Sequence, residues 1–174
     1  EARGGIFGTY CRVLLLTAQR RGEVAAMKWA DIDLESGLWT IPRAKGGHAH
    51  EVPLAPAVAA LLHAMPRQHG CEYVFSTRRA RPIAGFGKLR DATSEAASVT
   101  GWRFHDLRRS AATTMAAAGI AKDIIRRVLG HAESDVTSTY VRHSWLPEKR
   151  TALETWAARV ETIAREQPAR RRAS

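Results

Sequence analysis

A histidine and an arginine three positions apart, His105 and Arg108, are the side chains in this 174-residue chain best suited to binding a phosphate. The spacing places both on one face of a predicted helix. Arginine offers a planar fork to two phosphate oxygens, and histidine can accept or donate a proton near neutral pH. Taken alone, the segment His-Asp-Leu-Arg is better explained as the capped start of a helix with a solvated arginine.

Three further segments carry side chains of related chemistry. Arg20 stands where a predicted helix ends, and Glu23, three residues on, can hold its guanidinium in place. Lys45 lies in a polar, glycine-rich turn, from which it can reach a bound ligand and donate a proton. His131 follows a glycine that ends a helix, and Tyr140 comes nine residues later. Taken singly, these are ordinary solvated charges and a tyrosine packed with its hydroxyl outward.

Taken together and in this order, the residues resemble the tyrosine recombinase (phage integrase) family over about residues 6–165. The matching positions are Arg20 and Glu23 for the R-x-x-E segment, Lys45 for the hairpin lysine, His105 and Arg108 for H-x-x-R, His131 for the His or Trp after L-G, and Tyr140 for the nucleophile. One departure is Ala18, where members of the family often have glycine. Arg109 could compete with Arg108, but the H-x-x-R spacing favours Arg108.

The resemblance implies a site-specific recombinase or integrase that cleaves and rejoins DNA through a 3′-phosphotyrosyl intermediate, without ATP, metal or other cofactor. Arg20 and Arg108 would hold the nonbridging oxygens of the scissile phosphate, and His105 is a candidate for accepting the Tyr140 proton. Lys45 would protonate the departing 5′-hydroxyl. Two alternatives stay open, namely a type IB topoisomerase-like DNA relaxation and a non-catalytic DNA-binding module of the same fold.

The composition agrees with a polyanionic partner. The formal net charge is +10 and the isoelectric point about 10.6, and cations that neutralise phosphates release counterions. A basic protein without a nucleic-acid role would show the same charge, and an RNA-binding protein would be expected to carry aromatic stacking motifs that are not found. The two cysteines, neither of which belongs to a C-x-x-C pair, indicate a reduced, cytoplasmic setting. The Arg- and Ala-rich sequence suggests a GC-rich bacterial genome, and we expect a protein associated with the nucleoid.

The histidines do not suggest a metal site, because His48 and His50 are assigned to the polar turn and no H-E-x-x-H motif is present. No apolar run approaches the ~18 residues of a membrane-spanning helix.

The predicted fold is α+β and mainly α-helical, the tyrosine recombinase catalytic-domain fold with a small antiparallel sheet near residues 30–54. Apolar spacing and Gly and Pro signals predict the elements. Helices are expected at 6–18, 21–28, 56–65, 84–98, 105–118, 121–129, 133–141 and 148–165, and β-prone runs at 30–34, 38–42 and 50–53.

Residues 1–165 are predicted to form the catalytic domain and 166–174 a basic, disordered tail. Because no initiator Met precedes Glu1, we expect a fragment of a longer protein that lacks its N-terminal DNA-binding domain. The resemblance implies double-stranded DNA as partner and a homotetramer that exchanges the helix at 148–165. The apolar stripe of that helix could equally pack on its own domain; it consists of Leu153, Trp156, Val160 and Ile163.

Overall fold

The computed structural model describes residues 5–44, 47–77, 81–131 and 144–172, with side chains up to Glu166 in the last helix. Over these ranges the chain forms seven α-helices and a three-stranded antiparallel sheet of order β1-β2-β3. The helices are α1 (Ile6–Thr17), α2 (Arg21–Ala25), α3 (Pro56–His63), α4 (Phe86–Ala97), α5 (Phe104–Ala117), α6 (Lys122–Val128) and α7 (Leu146–Arg172). The strands are β1 (Ile32–Asp33), β2 (Leu38–Ile41) and β3 (His50–Pro53). The predicted mainly helical fold with a small sheet is confirmed.

Helix α1 leads directly to the first predicted arginine. Its face with Tyr10, Val13 and Leu14 is buried in the core. The helix ends at Ala18, whose φ of 53° is the left-handed conformation that glycine adopts at lower cost. The tight turn at the end of α1 therefore forms with alanine, and Arg20 follows immediately before α2.

Helix α2 is shorter than the predicted 21–28. The backbone after Ala25 leaves the helix because it bonds to a distant segment of the chain. The Trp29 amide donates to the Glu72 carbonyl at 3.0 Å, and the Val74 amide donates to the Met27 carbonyl at 2.9 Å. This pairing between segments far apart in sequence overrides the local helical pattern.

The sheet is a meander with one strand shorter than expected. Strand β1 covers only Ile32–Asp33 because residues 29–31 form a 3-10 turn. In the β2–β3 hairpin Trp39 pairs with Val52, and both side chains are buried. The connection between these two strands carries Lys45, which lies outside the described residues. The hairpin thus fixes the two strands on either side of the predicted lysine.

Aromatic packing holds the start of α5, where the H-x-x-R segment lies. The Phe104 ring meets the Trp102 ring at a centroid distance of 5.1 Å and the Phe86 ring at 6.2 Å, both edge to face. Phe86 in turn contacts Tyr10 of α1 at 5.7 Å. Edge-to-face contacts are favourable for aromatic rings, and together with the tilted Phe86–Tyr10 pair they fix α5 relative to α1 and α4.

The last helix begins at Leu146 and ends at Arg172, seven residues into the segment that was predicted as a tail. Glutamate, alanine and arginine beyond residue 165 are good helix formers, but Pro168 disfavours a helix interior, so local propensity does not explain the longer helix. The division into a catalytic domain and a tail stays a prediction. The short helix predicted at 133–141 lies outside the described residues.

The first part of α7 packs on its own domain, against α1, α5, α6 and β3. Leu153 and Trp156 are buried, and the Trp156 indole Nε1 donates to the Leu15 carbonyl of α1 at 2.8 Å. Val160 is half-buried, whereas Ile163 is 41% exposed. The apolar stripe of α7 was expected to pack either on its own domain or on a neighbouring copy. Its first half packs on its own domain.

We expect Trp156→Ala to lower the free energy of unfolding by about 3–5 kcal/mol, because it removes a buried indole and its hydrogen bond. The measurement is denaturant unfolding. Ile163→Ala, on the exposed part of the same stripe, is the matched control and should change stability by less than about 0.5 kcal/mol. Equal stability of Trp156→Ala and wild type would mean that α7 does not pack on its own domain in solution.

Within the described ranges, no helix combines the length and apolarity that crossing a membrane requires.

Candidate active site

The side chains of the candidate site meet at the carboxyl end of helix α6. Three successive carbonyl groups, those of Val128, Leu129 and Gly130, accept side-chain hydrogen bonds here. The last carbonyls of a helix have no partner within the helix and carry partial negative charge, so cationic donors are favoured at this end. Gly130, with a φ of 56°, turns the chain out of the helix.

Arg108 projects from α5 into this end of α6 and is 5% exposed. Its Nη1 donates to the Ala18 carbonyl at 2.8 Å, and its Nη2 donates to the Leu129 carbonyl. Burial, followed by the charge of Arg20, lowers the pKa of Arg108 to about 10, which leaves the guanidinium charged at neutral pH. Arg108 therefore joins α5, the end of α1 and the end of α6 through a single buried cation.

Arg20 is held by two partners. Its Nη1 donates to Glu23 Oε1 at 2.9 Å, and its Nη2 donates to the Gly130 carbonyl at 3.2 Å. Glu23 also accepts the Arg20 backbone amide at 3.1 Å, which closes a capping box at the start of α2. Because the Arg20 side chain is 26% exposed, its remaining donors can reach a ligand.

An open cleft of about 430 Å³ lies between the start of α2 and the start of α5. Its lining is mainly cationic and consists of Gln19, Arg20, Arg21, Gly22, Arg103, Phe104, His105 and Arg108. His105 is exposed at the cleft. Arg109 does not line it, since its side chain is 74% exposed and lies 3.7 Å from the Asp106 carboxylate. The arginine of the H-x-x-R segment that faces the cleft is therefore Arg108.

His131 follows Gly130 directly, and its backbone amide donates to the Arg126 carbonyl at 3.1 Å. Partial burial, and then the charges of Arg108, Arg20, Arg126 and His105, lower the pKa of the His131 imidazole. The ring is consequently neutral at neutral pH. The His131 ring thus interacts electrostatically with Arg20 and Arg108, the two arginines that bond to the carbonyl groups at the end of α6.

The structure thus brings together five of the seven residues that the sequence selected. They are Arg20, Glu23, His105, Arg108 and His131. Lys45 and Tyr140 lie outside the described residues, and their positions and roles stay predictions.

From the sequence, His50 was assigned both to a polar turn and to the β-prone run at 50–53, and the structure corrects the first of these assignments. The residue opens strand β3, its ring is half-buried, and its Nε2 lies 3.2 Å from the Val128 carbonyl. Burial and then Lys149 lower the pKa of His50 to about 4. Strand periodicity could have indicated this, because His50 lies on the same face as Val52, two residues on, which is fully buried.

Gln19 is the second site residue that the sequence did not single out. It is 2% exposed, and its Nε2 donates to the Thr17 carbonyl at 2.9 Å and to the Val128 carbonyl at 2.8 Å. The amide orientation follows from these two acceptors, since only the NH2 group can donate. A glutamine between a helix end and an arginine gives no local signal of burial, so sequence alone could not have found it.

We expect Gly130→Ala to destabilise the protein by about 1–3 kcal/mol, because alanine is strained at positive φ and its Cβ needs space that is already filled. A Cβ built at this position would lie 3.0 Å from the His50 ring. Thermal and denaturant unfolding measure the effect. The same change in a His50→Ala background should cost less, and an equal cost in both backgrounds would show that His50 does not contact Gly130.

Among the residues with described structure, no three His, Cys, Asp or Glu side chains come close enough together to hold a metal ion.

Comparison with known proteins places this chain in a family. The model of the phage integrase family matches residues 8–145, which is most of the chain. The chain therefore belongs to the phage integrase, or tyrosine recombinase, family, as the sequence motifs predicted.

Curated relatives agree with this assignment. Prophage integrase IntA of Escherichia coli strain K12 is 31% identical over 148 residues, which cover 82% of this chain and 36% of that protein. Tyrosine recombinase XerA of Pyrococcus furiosus is 32% identical over 141 residues, covering 75% of this chain and 48% of that protein. The chain spans less than half the length of these relatives.

Solved structures confirm the fold. The integrase of mycobacterium phage Brujita superposes with a TM-score of 0.68 at 22% identity, covering 89% of this chain and 53% of that chain. A lambda integrase tetramer bound to a Holliday junction gives a TM-score of 0.58 at 21% identity, covering 80% of this chain and 43% of that chain.

Proposed function

We propose that this protein is a site-specific DNA recombinase or integrase, with Tyr140 as the nucleophile. The observation that carries the proposal is the pair of guanidinium groups, Arg20 and Arg108, bonded to neighbouring carbonyls at the end of α6 beside a cationic cleft. Membership of the phage integrase family supports it. The substrate is duplex DNA, whose phosphates complement the net charge of +10.

The two arginines stabilise the negative charge that develops on the nonbridging oxygens of the scissile phosphate. Each is already oriented by protein acceptors, so little reorganisation accompanies the reaction. Arg20 has N–H donors that can reach a ligand in the cleft. Arg108 uses two of its five N–H donors in hydrogen bonds to the Ala18 and Leu129 carbonyls. The planar fork of arginine suits a tetrahedral phosphate that passes through a five-coordinate transition state.

The Tyr140 oxygen attacks the phosphorus, and the bond from phosphorus to the 5′-oxygen breaks. His105 accepts the tyrosine proton, Lys45 protonates the departing 5′-oxygen, and His131 donates a hydrogen bond to the phosphate. The product is a 3′-phosphotyrosyl bond and a free 5′-hydroxyl. A 5′-hydroxyl of another strand then attacks this bond and releases Tyr140, so the bond energy is conserved without ATP.

We further propose that several copies act together on DNA. Lambda integrase is known as a dimer bound to a core site and as a tetramer bound to a Holliday junction. In this chain the first half of the α7 stripe is already packed on its own domain. The segment left for exchange with a neighbouring copy is therefore the exposed part of α7 around Ile163.

The experiment that tests the proposal is trapping with a nicked suicide duplex, in which cleavage releases a short strand and prevents rejoining. Because the target sequence is unknown, the arms and core of the duplex are randomised, and the trapped strands are sequenced. We expect a covalent protein–DNA adduct that forms without ATP and in the presence of a metal chelator, with enrichment of one core sequence. Tight binding to the enriched duplex without any adduct would favour a non-catalytic DNA-binding module.

A plasmid assay separates recombination from relaxation. A supercoiled plasmid that carries two copies of the enriched sequence is incubated with the protein. Recombination gives an inversion or deletion between the two sites, whereas relaxation that does not depend on the sites would indicate topoisomerase-like activity.

A further inference from the structure

The Val128 carbonyl at the end of α6 accepts from two side chains that belong to different parts of the chain. Gln19, at the end of α1, donates at 2.8 Å, and the Nε2 of His50, at the start of β3, lies at 3.2 Å. A carbonyl has two lone pairs, so both bonds can form together. The next carbonyl along the chain, that of Leu129, receives Arg108.

The His50 ring also lies close to the turn that follows α6. A Cβ atom added to Gly130 would be 3.0 Å from the ring Cδ2 and 3.1 Å from Nε2. The space that any other residue would need at position 130 is therefore filled by the imidazole. Gly130 connects the carbonyl that accepts Arg108 to His131, whose imidazole interacts electrostatically with Arg108, Arg20 and His105.

We propose that His50 is a positioning residue of the active site, which acts through the turn Val128–His131. The ring supports the back of this turn, and its N–H fixes the Val128 carbonyl. The turn then presents the Leu129 carbonyl to Arg108 and the Gly130 carbonyl to Arg20, and it places His131 near both arginines. This inference rests on the proposed function, since it assigns His50 to the same strand-cleavage reaction.

The surroundings explain why the ring must be neutral. Because the Val128 oxygen can only accept, the Nε2 must carry a hydrogen, and a neutral ring with its proton on Nε2 meets this requirement. A charged ring would be repelled by Lys149 and Arg108, while Glu23 would attract it. Lys149 is itself buried and donates its Nζ to the Glu51 carbonyl on the same strand.

The test compares three variants of His50 with the wild-type protein. In His50→Gln the amide nitrogen can take the place of Nε2 and keep the bond to Val128. In His50→Asn the amide is too short, since its nitrogen falls near Nδ1. In His50→Leu the bulk remains but the donor is lost. The rate constant for adduct formation is measured with the suicide duplex at saturating protein, together with DNA affinity and the unfolding midpoint.

We expect His50→Asn and His50→Leu to cleave about 10- to 100-fold more slowly, as small misplacements of catalytic groups do. DNA affinity should be unchanged, and His50→Gln should stay close to wild type. The matched controls are His63→Gln and His63→Leu, at an exposed histidine on α3, which should leave the rate unaltered. Wild-type rates in folded His50→Asn, or a rate in His50→Gln as low as in His50→Leu, would overturn the proposal.

A second measurement separates this inference from the proposed function. The backbone amide signals of Gly130 and His131 are followed by NMR in the same variants without DNA. We expect both signals to shift in His50→Asn and to stay nearly in place in His50→Gln. If the wild-type protein forms no adduct, the proposed function fails, yet these shifts still report whether His50 holds the turn. Unchanged signals in every variant would overturn the inference even in an active enzyme.

Discussion

Replacing Tyr140 with phenylalanine is expected to remove covalent adduct formation altogether, with a loss in cleavage rate of about four orders of magnitude or more, as for other covalent nucleophiles. The change deletes one oxygen, the atom proposed to attack the phosphorus. Because the arginines that hold the phosphate are untouched, DNA affinity should remain. The measurement is the fraction of suicide duplex trapped over time, beside a binding titration with the same duplex.

The chain supplies a matched control, since it contains only three tyrosines. Tyr73 is half-buried and pairs in an isolated bridge with Lys28, away from the residues that line the cleft. Tyr73→Phe should therefore cleave at the wild-type rate. An adduct that persists in Tyr140→Phe at an undiminished rate would show that another residue is the nucleophile.

Replacing Arg108 with lysine should give the second largest loss, about 10²- to 10³-fold in cleavage, the range for losing one preorganised donor. Lysine keeps the charge but not the planar fork, and its single nitrogen cannot take the positions of both Nη1, which bonds to the Ala18 carbonyl, and Nη2, which bonds to the Leu129 carbonyl. A buried carbonyl that loses its donor costs about 1–3 kcal/mol. We therefore expect a lower unfolding midpoint as well, and the rate is measured well below it.

The neighbouring arginine provides the control for this change. Arg109 carries the same charge one position further on, but its side chain is 74% exposed and faces Asp106. Arg109→Lys should leave both the cleavage rate and the stability unchanged. Equal losses of activity in Arg108→Lys and Arg109→Lys would show that the effect does not depend on the position of the arginine, and would contradict the specific role of Arg108.

Much of the fold was predictable because local signals agree with the tertiary structure in most elements. Gly and Pro signals and apolar spacing located the helices to within a few residues at α1, α3, α4, α5 and α6. The prediction was least accurate where distant segments compete for backbone hydrogen bonds. Helix α2 ends at Ala25 because the chain from Met27 to Trp29 pairs with residues 72–74.

The candidate site likewise contains residues that the sequence could predict and residues that it could not. The order and spacing of Arg20, His105, Arg108 and His131 were sufficient to select them, because together they match the motifs of the tyrosine recombinase family. Strand periodicity could have indicated that His50 is buried, but the carbonyl groups that bond to the site residues were not predictable, since a backbone carbonyl has no sequence signature. His50 and Gln19 both bond to the Val128 carbonyl, and this shared acceptor exists only once α1, α6 and β3 meet.

The central claim, that Tyr140 attacks the phosphate held at this cleft, is tested most directly by mapping the covalent adduct. The trapped wild-type adduct is digested with trypsin and nuclease, and the modified peptide is sequenced by mass spectrometry. Cleavage after Arg127 and Arg142 gives a peptide of residues 128–142 in which Tyr140 is the only tyrosine. We predict a 3′-linked nucleotide on Tyr140 in this peptide. A nucleotide on any other residue, or one joined through its 5′-phosphate, would contradict the account.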